Sequence, residues 1–265
     1  MAQPAYVRVA EAIRLAIEAG EDPKYQPGEG LPSSSEVARE HGVSQETALK
    51  ALRALARDGW ITIVPRGRMF VRARPRERIV VRDRTVYRDE IGYFFDLNAK
   101  DWRAVGKPER TLAVPPDHIA DLLGVPRGED VVARNRAMGP PGSGQALQLA
   151  TSYISMSLAA EIPALGAEDT GPGGIYDRIE EAFDQEIDWH EVISSRQPDA
   201  IEQERLDIPP TVPVMIITRE ARVERDGSVL VAEVNETRMS AEQFAVSYTV
   251  RRDDSAIRRR GGGSP

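Results

Sequence analysis

The run from Val43 to Gly59, Val-Ser-Gln-Glu-Thr-Ala-Leu-Lys-Ala-Leu-Arg-Ala-Leu-Ala-Arg-Asp-Gly, constrains this chain more than any other. Ser44 is a natural N-cap, and Gly59 is a natural stop. Between them Ala48, Leu52 and Leu55 share one helical face. Gln45, Glu46, Thr47 and Lys50 share the other, at the N-terminal end. A glycine-containing turn, His41-Gly42-Val43, precedes this polar helix start. A helix-turn-helix presents its recognition helix to the DNA major groove in this way. Taken alone, Gln45, Glu46 and Thr47 also fit an ordinary solvated helix start, so the flanking residues must decide.

On the N-terminal side, Tyr6, Val9, Ala10, Ile13 and Ile17 recur at three- and four-residue steps, and Ala19-Gly20 ends that helix. A turn-rich stretch runs from Glu21 to Gly30. After Leu31-Pro32, Ser33, Ser34 and Ser35 offer caps for a second helix over Glu36–Glu40, with Val37 and Ala38 as its core contacts. On the C-terminal side, Trp60–Val64 and Met69–Val71 read as two short strands joined by Pro65-Arg66-Gly67-Arg68. Three helices and a two-stranded wing make a winged helix-turn-helix. In register, Gly30-Leu31-Pro32-Ser33, Glu36-Val37-Ala38, Gly42-Val43-Ser44, Thr47, Ala51-Leu52, Leu55, Asp58-Gly59 and Phe70-Val71 resemble the DNA-binding domain of the GntR family of bacterial transcription regulators.

The resemblance implies a homodimer on a roughly palindromic operator in double-stranded DNA, touched by the second and third helices and the wing. It places Ser34, Ser35, Ser44, Gln45, Glu46, Thr47, Lys50, Arg66 and Arg68 at the DNA. The chain departs from the family pattern at Ser35, Gln45 and Leu49, where many members carry arginine. Arginine suits guanine and glutamine suits adenine, so the half-site should differ from the guanine-centred one. Glu46 repels phosphate unless it accepts from a cytosine amine. Lys50 and Arg53 suit the phosphate backbone. Arg66-Gly67-Arg68 replaces the usual Gly-Arg-Gly at the wing tip, and either arginine can reach phosphate or the minor groove.

The charge distribution agrees with a DNA-facing front. The net charge is −7, yet residues 1–88 carry 16 Lys and Arg against 11 Asp and Glu, leaving 19 against 31 in the rest. The stretch Arg74–Arg84 is charge-rich with a short apolar run. It reads as a basic linker that adds sequence-independent affinity, or simply as a solubilised connector. Gly92-Tyr93-Phe94-Phe95-Asp96, with Trp102, forms an aromatic cluster suited to packing on a second domain. No apolar run approaches the ~20 residues of a membrane span, and no signal-peptide pattern opens the chain, so a cytoplasmic protein is expected. Zero cysteines exclude disulfides, thiolate metal sites and cysteine nucleophiles. His41, His118 and His190 lack metal-ligand spacing, and no metal or cofactor is expected.

Beyond residue 97 the pattern mixes strands and helices without regular βαβ alternation. Strands are expected over Val131–Met138, Gln145–Ile154, Val192–Gln197, Pro213–Glu224 and Ser228–Met239, with Asp226-Gly227 as a hairpin turn. Helices are expected over Pro116–Leu123, Ser157–Ile162, Ile175–Phe183 and Asp199–Leu206. This is an α+β domain around one mainly antiparallel sheet. Val132–Arg136, Ala150–Ile154, Gly174–Ile179, Ala200–Leu206 and Pro213–Arg222 resemble, in order, the UTRA effector-binding domain of HutC-type GntR regulators. The resemblance implies a chorismate-lyase-like fold with a pocket for a small, usually anionic, metabolite.

Arg134 and Arg136 lie two apart on a strand and share a face, where they can converge on one anion. Gly171-Pro172-Gly173-Gly174 opens a helix whose free N–H groups favour an anion. Thr151, Ser152, Tyr153, Arg219 and Tyr248 add donors, and Glu233 and Asn235 can select hydroxyl or amine groups. Strand arginines are also commonly solvated or salt-bridged. Gly174 and Ala150 replace a hydroxyl and a carboxylate that hexosamine-phosphate binders use, which argues against a phosphosugar.

The expected organisation is therefore a winged helix-turn-helix over 1–75, a linker over 76–96, an effector domain over 97–250 and a disordered tail over 251–265. The expected function is a DNA-binding repressor released by a small effector. Two alternatives are an enzyme using the lyase-like body and an architectural DNA binder without an effector. The enzyme lacks support from any Gly-x-Ser-x-Gly elbow, phosphate loop or paired-histidine site, and Gly142-Ser143-Gly144 reads as a flexible loop.

Overall fold

The computed structural model describes residues 3–63, 68–72, 80–82, 85–88, 94–95, 101–250 and 252–253. Arg66, most of the expected linker and nearly all of the expected disordered tail lie outside the described residues.

Helix α1 (Ala5–Ala19) turns Val9 and Ile13 inward and stops at Gly20, whose positive φ of 65° lets its N–H reach the Ala16 carbonyl. Helix α2 (Ser34–His41) starts before the expected Glu36. Its cap is Ser33, which forms a reciprocal capping box with Glu36: the Glu36 N–H donates to Ser33 Oγ and the Ser33 N–H donates to Glu36 Oε2. Helix α3 (Gln45–Arg57) is capped by Ser44, whose Oγ accepts from the Thr47 N–H at 3.2 Å. Ala48, Ala51, Leu52 and Leu55 of α3 pack with Val9, Ile13, Val37 and Ile61 into one small core. The wing is the antiparallel pair β1 (Ile61–Ile63) and β2 (Met69–Val71). The turn-rich stretch docks beside it, with Gly28 N–H donating to Val71 O and Leu31 N–H to Met69 O. Turn composition gave no sign of that pairing.

Short strands follow: β3 (Val80–Arg82), β4 (Tyr87–Arg88) and β5 (Phe94–Phe95), with β4 pairing β5. The body then runs through β6 (Arg103–Ala104), β7 (Glu109–Ala113), α4 (Asp117–Leu123), β8 (Val131–Gly139), β9 (Gln148–Ser155), α5 (Met156–Glu161), α6 (Pro163–Gly166), α7 (Gly174–Phe183), β10 (Asp188–Arg196), α8 (Ala200–Leu206), β11 (Val214–Arg225), β12 (Ser228–Ser240) and β13 (Phe244–Val246). Strand β13 pairs in parallel with β3, so the chain between the two domains is tied to the end of the body.

The main sheet has seven strands in the order β10-β11-β12-β9-β8-β6, with β7 also on β8, and every pairing is antiparallel. The β11–β12 hairpin turns at Asp226 and Gly227, both at positive φ, as a two-residue loop of this twist requires. Period-two alternation gives the sheet two different faces. On one, Val132, Ile154, Ala221 and Ala232 pack against Leu158, Leu165, Ile175 and Ile179 of α5–α7. On the other, Ala133, Tyr153 and Val234 pack against Ile119 and Leu123 of α4. The α+β class expected from the sequence is the class observed. No helix among the described residues is long and apolar enough to cross a membrane.

The two domains meet at a polar seam. Thr211 Oγ1 donates to the Arg57 carbonyl at 2.9 Å, at the C-terminal end of α3. Arg72, just past β2, donates from Nη2 to the Asp207 carbonyl at 2.6 Å and lies 3.8 Å from the Glu242 carboxylate.

Candidate DNA-reading face and effector cavity

The first turn of α3 leaves Gln45 and Glu46 exposed, with Ser44 and Ser35 exposed nearby and Ser34 and Thr47 half-buried. Gln45 Nε2 donates to Ser34 Oγ at 3.3 Å, and Ser44 Oγ lies 2.9 Å from Thr47 Oγ1. The helix-turn-helix thus orders the side chains at the start of α3. Lys50 is drawn toward α1, its Nζ 4.3 Å from the centre of the Tyr6 ring. Arg68 lies over the Phe70 ring at 5.2 Å.

In the body, a cavity of about 640 Å³ opens between β7, β8, the Glu168–Thr170 loop and the start of α7. Arg134, Arg136 and Gly174 line it. Its charged lining is mixed, with Lys107, Arg110, Arg134 and Arg136 against Glu109, Glu168 and Asp169. The two strand arginines have different tasks. Arg134 donates to the carbonyls of Leu165, Ala167 and Glu168, so it pins the loop after α6. Burial, then the neighbouring Arg136 and Arg110, lower the pKa of its guanidinium. Arg136 is exposed and donates to Ser152 Oγ at 3.2 Å, which leaves most of its donors turned to the opening.

The start of α7 is shaped by glycine. Gly173, at φ 82°, is its N-cap with no side-chain hydrogen bond, and a Cβ there would overlap the Asp177 carboxylate. Asp177 occupies the first turn, where the helix dipole favours an acid, and accepts from Arg88 Nη2 at 2.7 Å.

Beneath the lining lies a buried polar cluster. Glu233 is fully buried; Tyr176 donates to its Oε2 at 3.3 Å. Its Oε1 accepts no well-aligned hydrogen bond, although the Ser152 hydroxyl is close enough to favour the carboxylate. Burial dominates and pushes its pKa up to about 7, against the opposing pull of Ser152, Arg136, Arg219 and Tyr176. Burial, then the charge of Glu233, raise the Tyr176 phenol above its usual value. Asn235 Nδ2 donates to Ser152 Oγ at 3.0 Å. Arg219 forms a 2.7 Å ion pair with Glu191 and lies 5.5 Å from the Trp189 ring centre.

Three residues expected at the effector are placed elsewhere. Thr151 and Tyr153 point to the opposite face from Arg134 and Arg136, because neighbours on a strand alternate. Thr151 Oγ1 donates to Asn135 Oδ1 and accepts from Arg238 Nη2, while Tyr153 packs on α4. Tyr248 is exposed beyond β13 and does not line the cavity. Of the three consecutive hydroxyls, Ser152 alone joins the pocket face. Sequence reasoning missed Tyr176, Lys107 just before β7 and Arg110 within it. The phenol in Gly-Gly-Ile-Tyr was legible as a signal, since residue 176 lies in the first turn of a glycine-opened helix.

The comparisons with known proteins agree with this architecture. The model for bacterial regulatory proteins of the gntR family matches residues 5–71, and the UTRA domain model matches residues 109–245. The HTH-type transcriptional regulator GgaR of Escherichia coli strain K12 is 25% identical over 233 residues, covering 82% of this chain and 81% of its own length. The HTH-type transcriptional regulator SCO4628 of Streptomyces coelicolor is 28% identical over 266 residues, covering 96% and 95%. A solved GntR-family transcriptional regulator is similar with a TM-score of 0.59 at 26% identity, covering 95% of this chain and 99% of that one.

Proposed function

We propose, on the premise that this chain belongs to the GntR family of bacterial regulatory proteins and carries a UTRA domain, that it is a homodimeric repressor released from its operator by a small anionic metabolite. Regulators of this family bind DNA, and UTRA domains bind small-molecule effectors; the relatives are transcriptional regulators, not enzymes. What carries the reading is the cavity itself. The solvent-facing Arg136 supplies cationic donors at the mouth, and the buried Glu233 lies beneath the lining. The arginine suits a carboxylate or phosphate. The carboxyl suits a hydroxyl or amine on the same molecule.

Release requires the effector to bind the form that fits DNA less tightly than the form that does not. In a dimer, a change in the angle between the two winged domains suffices, because both recognition helices must reach successive half-sites. On this reading Ser34, Ser35, Ser44, Gln45, Glu46, Thr47, Lys50, Arg66 and Arg68 face DNA, while Arg136, Ser152, Gly174, Glu233 and Asn235 face the effector, supported by Arg134 and Arg219.

A footprint on the chain's own upstream DNA, repeated with a metabolite library, tests this. A discrete protected site that an anionic metabolite releases is the expected result. Protection everywhere or nowhere overturns the repressor, and a site that nothing releases points instead to a structural DNA binder.

A further inference from the structure

The main sheet carries a second cavity, on the face away from Arg136. Side chains alternate along β12, so Glu236 shares the α4 face with Val234, whereas Glu233 and Asn235 look the other way. A cavity of about 340 Å³ opens there between α4 and the end of β10, within the size range of small-molecule sites. Its floor is a row across three strands. Val192 of β10 stands opposite Thr218 of β11, and Thr218 stands opposite Glu236 of β12. Ser194 and Ile216 form the next row, and His118 and Leu122 of α4 close one side.

Glu236 is the feature that calls for a ligand. It is 6% exposed and stands on the cavity wall. Its Oε1 meets His118 Nε2 at 3.2 Å, and among the described residues no donor reaches Oε2. A buried carboxylate oxygen without a donor costs free energy that a bound donor returns. The cationic group at the other end of the cavity is already matched: Arg196 donates from both Nη atoms to Glu202 of α8, at 2.6 and 2.7 Å. His118 is 59% exposed, so its ring has room to turn outward.

The floor beside this carboxylate is apolar. Val192 is 49% exposed, with Ile216 and Leu122 bordering it. Two strand spacings, about 10 Å, separate Val192 from Glu236. An anion would meet the Glu236 carboxylate, and a bare inorganic cation would leave Val192 in water. We propose that this cavity binds a small organic ammonium, whose head donates to Glu236 Oε2 and whose apolar body lies over Ile216 and Val192. The Thr218 hydroxyl, opposite Glu236, takes a further proton of the head. The site stands apart from the arginine-lined cavity and from the operator reading, so the chain receives two small molecules of different charge on opposite faces of one sheet.

Titration calorimetry of the full-length chain with n-hexylammonium and phenethylammonium tests this. Both should bind saturably. Methylammonium, a head without a body, and n-hexanol, a body without a charge, should each bind about tenfold more weakly or worse. Glu236→Gln keeps the size and an acceptor for His118 but removes the charge, and should weaken n-hexylammonium binding about tenfold. Leu122→Trp alters no charge and fills the mouth from α4, and should weaken it by at least as much. Thermal melting establishes that each variant is folded; if Glu236→Gln is not, Leu122→Trp decides. Unchanged affinity in either folded variant places the ammonium elsewhere and overturns the proposal. Equal binding of n-hexanol, or no saturable binding of either ammonium, also overturns it.

Discussion

Glu233 gives the sharpest quantitative test of the cavity. Its carboxyl is buried, and burial raises its pKa from an ordinary 4.5 to about 7. The folded protein therefore holds a proton that the unfolded chain has already released across this pH range. Stability follows the difference in bound protons, so it falls as pH rises from about 4.5 through about 7 and then levels. At about 1.4 kcal/mol per pH unit, the unchanged protein should lose roughly 2–3 kcal/mol of unfolding free energy between pH 5 and pH 8 through this group. Glu233→Gln keeps the size and the acceptor for Tyr176 but cannot ionise. Urea unfolding of both proteins at several pH values gives the difference directly: the variant should gain on the unchanged protein as pH rises, and the gain should stop near pH 8. A constant difference from pH 5 to pH 8 refutes the argument. If the effector occupies this cavity as proposed, the same group reports its chemistry. A ligand amine placed against Glu233 drives proton release on binding. A ligand anion that engages Arg136 removes part of the field that favours the carboxylate, and drives proton uptake. Titration calorimetry in buffers of different ionisation enthalpy separates the two signs.

Other outcomes follow from the same geometry. Gln45→Ala should weaken operator binding by about 1–3 kcal/mol in a gel shift at fixed salt, as loss of a base contact does; unchanged affinity removes Gln45 from the base-reading set. Arg136→Ala should abolish effector-driven release while leaving thermal stability nearly unchanged. Arg134→Ala should lose release and also melt earlier, because three backbone acceptors lose a donor; equal melting of the two variants contradicts that division. Glu202→Gln should destabilise the body by roughly 1–3 kcal/mol in urea unfolding, since the buried Glu202 accepts from both Nη atoms of Arg196 at 2.6 and 2.7 Å while the partly exposed Arg196 stays solvated.

The front of the chain was legible because its signals are local. Caps, glycine stops and a short wing are written within a few residues of the elements they shape, and Ser44, Gly20 and Gly42 sit where the sequence puts them. The docking of Gly28 and Leu31 on β2 was not legible, since it is set by a loop returning from far along the chain. In the body, strand identity was readable from β-branched runs, but the partition of pocket residues was not. Thr151 and Tyr153 were grouped with Ser152 by adjacency, whereas the alternation of β9 separates them onto opposite faces. Arg134 illustrates a different limit. Its place on the pocket strand was readable; the three carbonyls that occupy it come from a loop more than thirty residues away.

The bond from Thr211 to the Arg57 carbonyl has a consequence for how such a protein diversifies. Helix α3, 13 residues long, is held to the effector domain at its last turn and exposes Gln45 and Glu46 at its first. That separates the two ends by roughly 18 Å along the axis. If Gln45 and Glu46 read DNA as proposed above, substitutions there redirect the protein to a new site without disturbing the contact at the far end. On that reading, lineages of such proteins are free to exchange the genes they govern while inheriting their ligand response intact, because target choice and the contact to the effector domain sit at opposite ends of one helix.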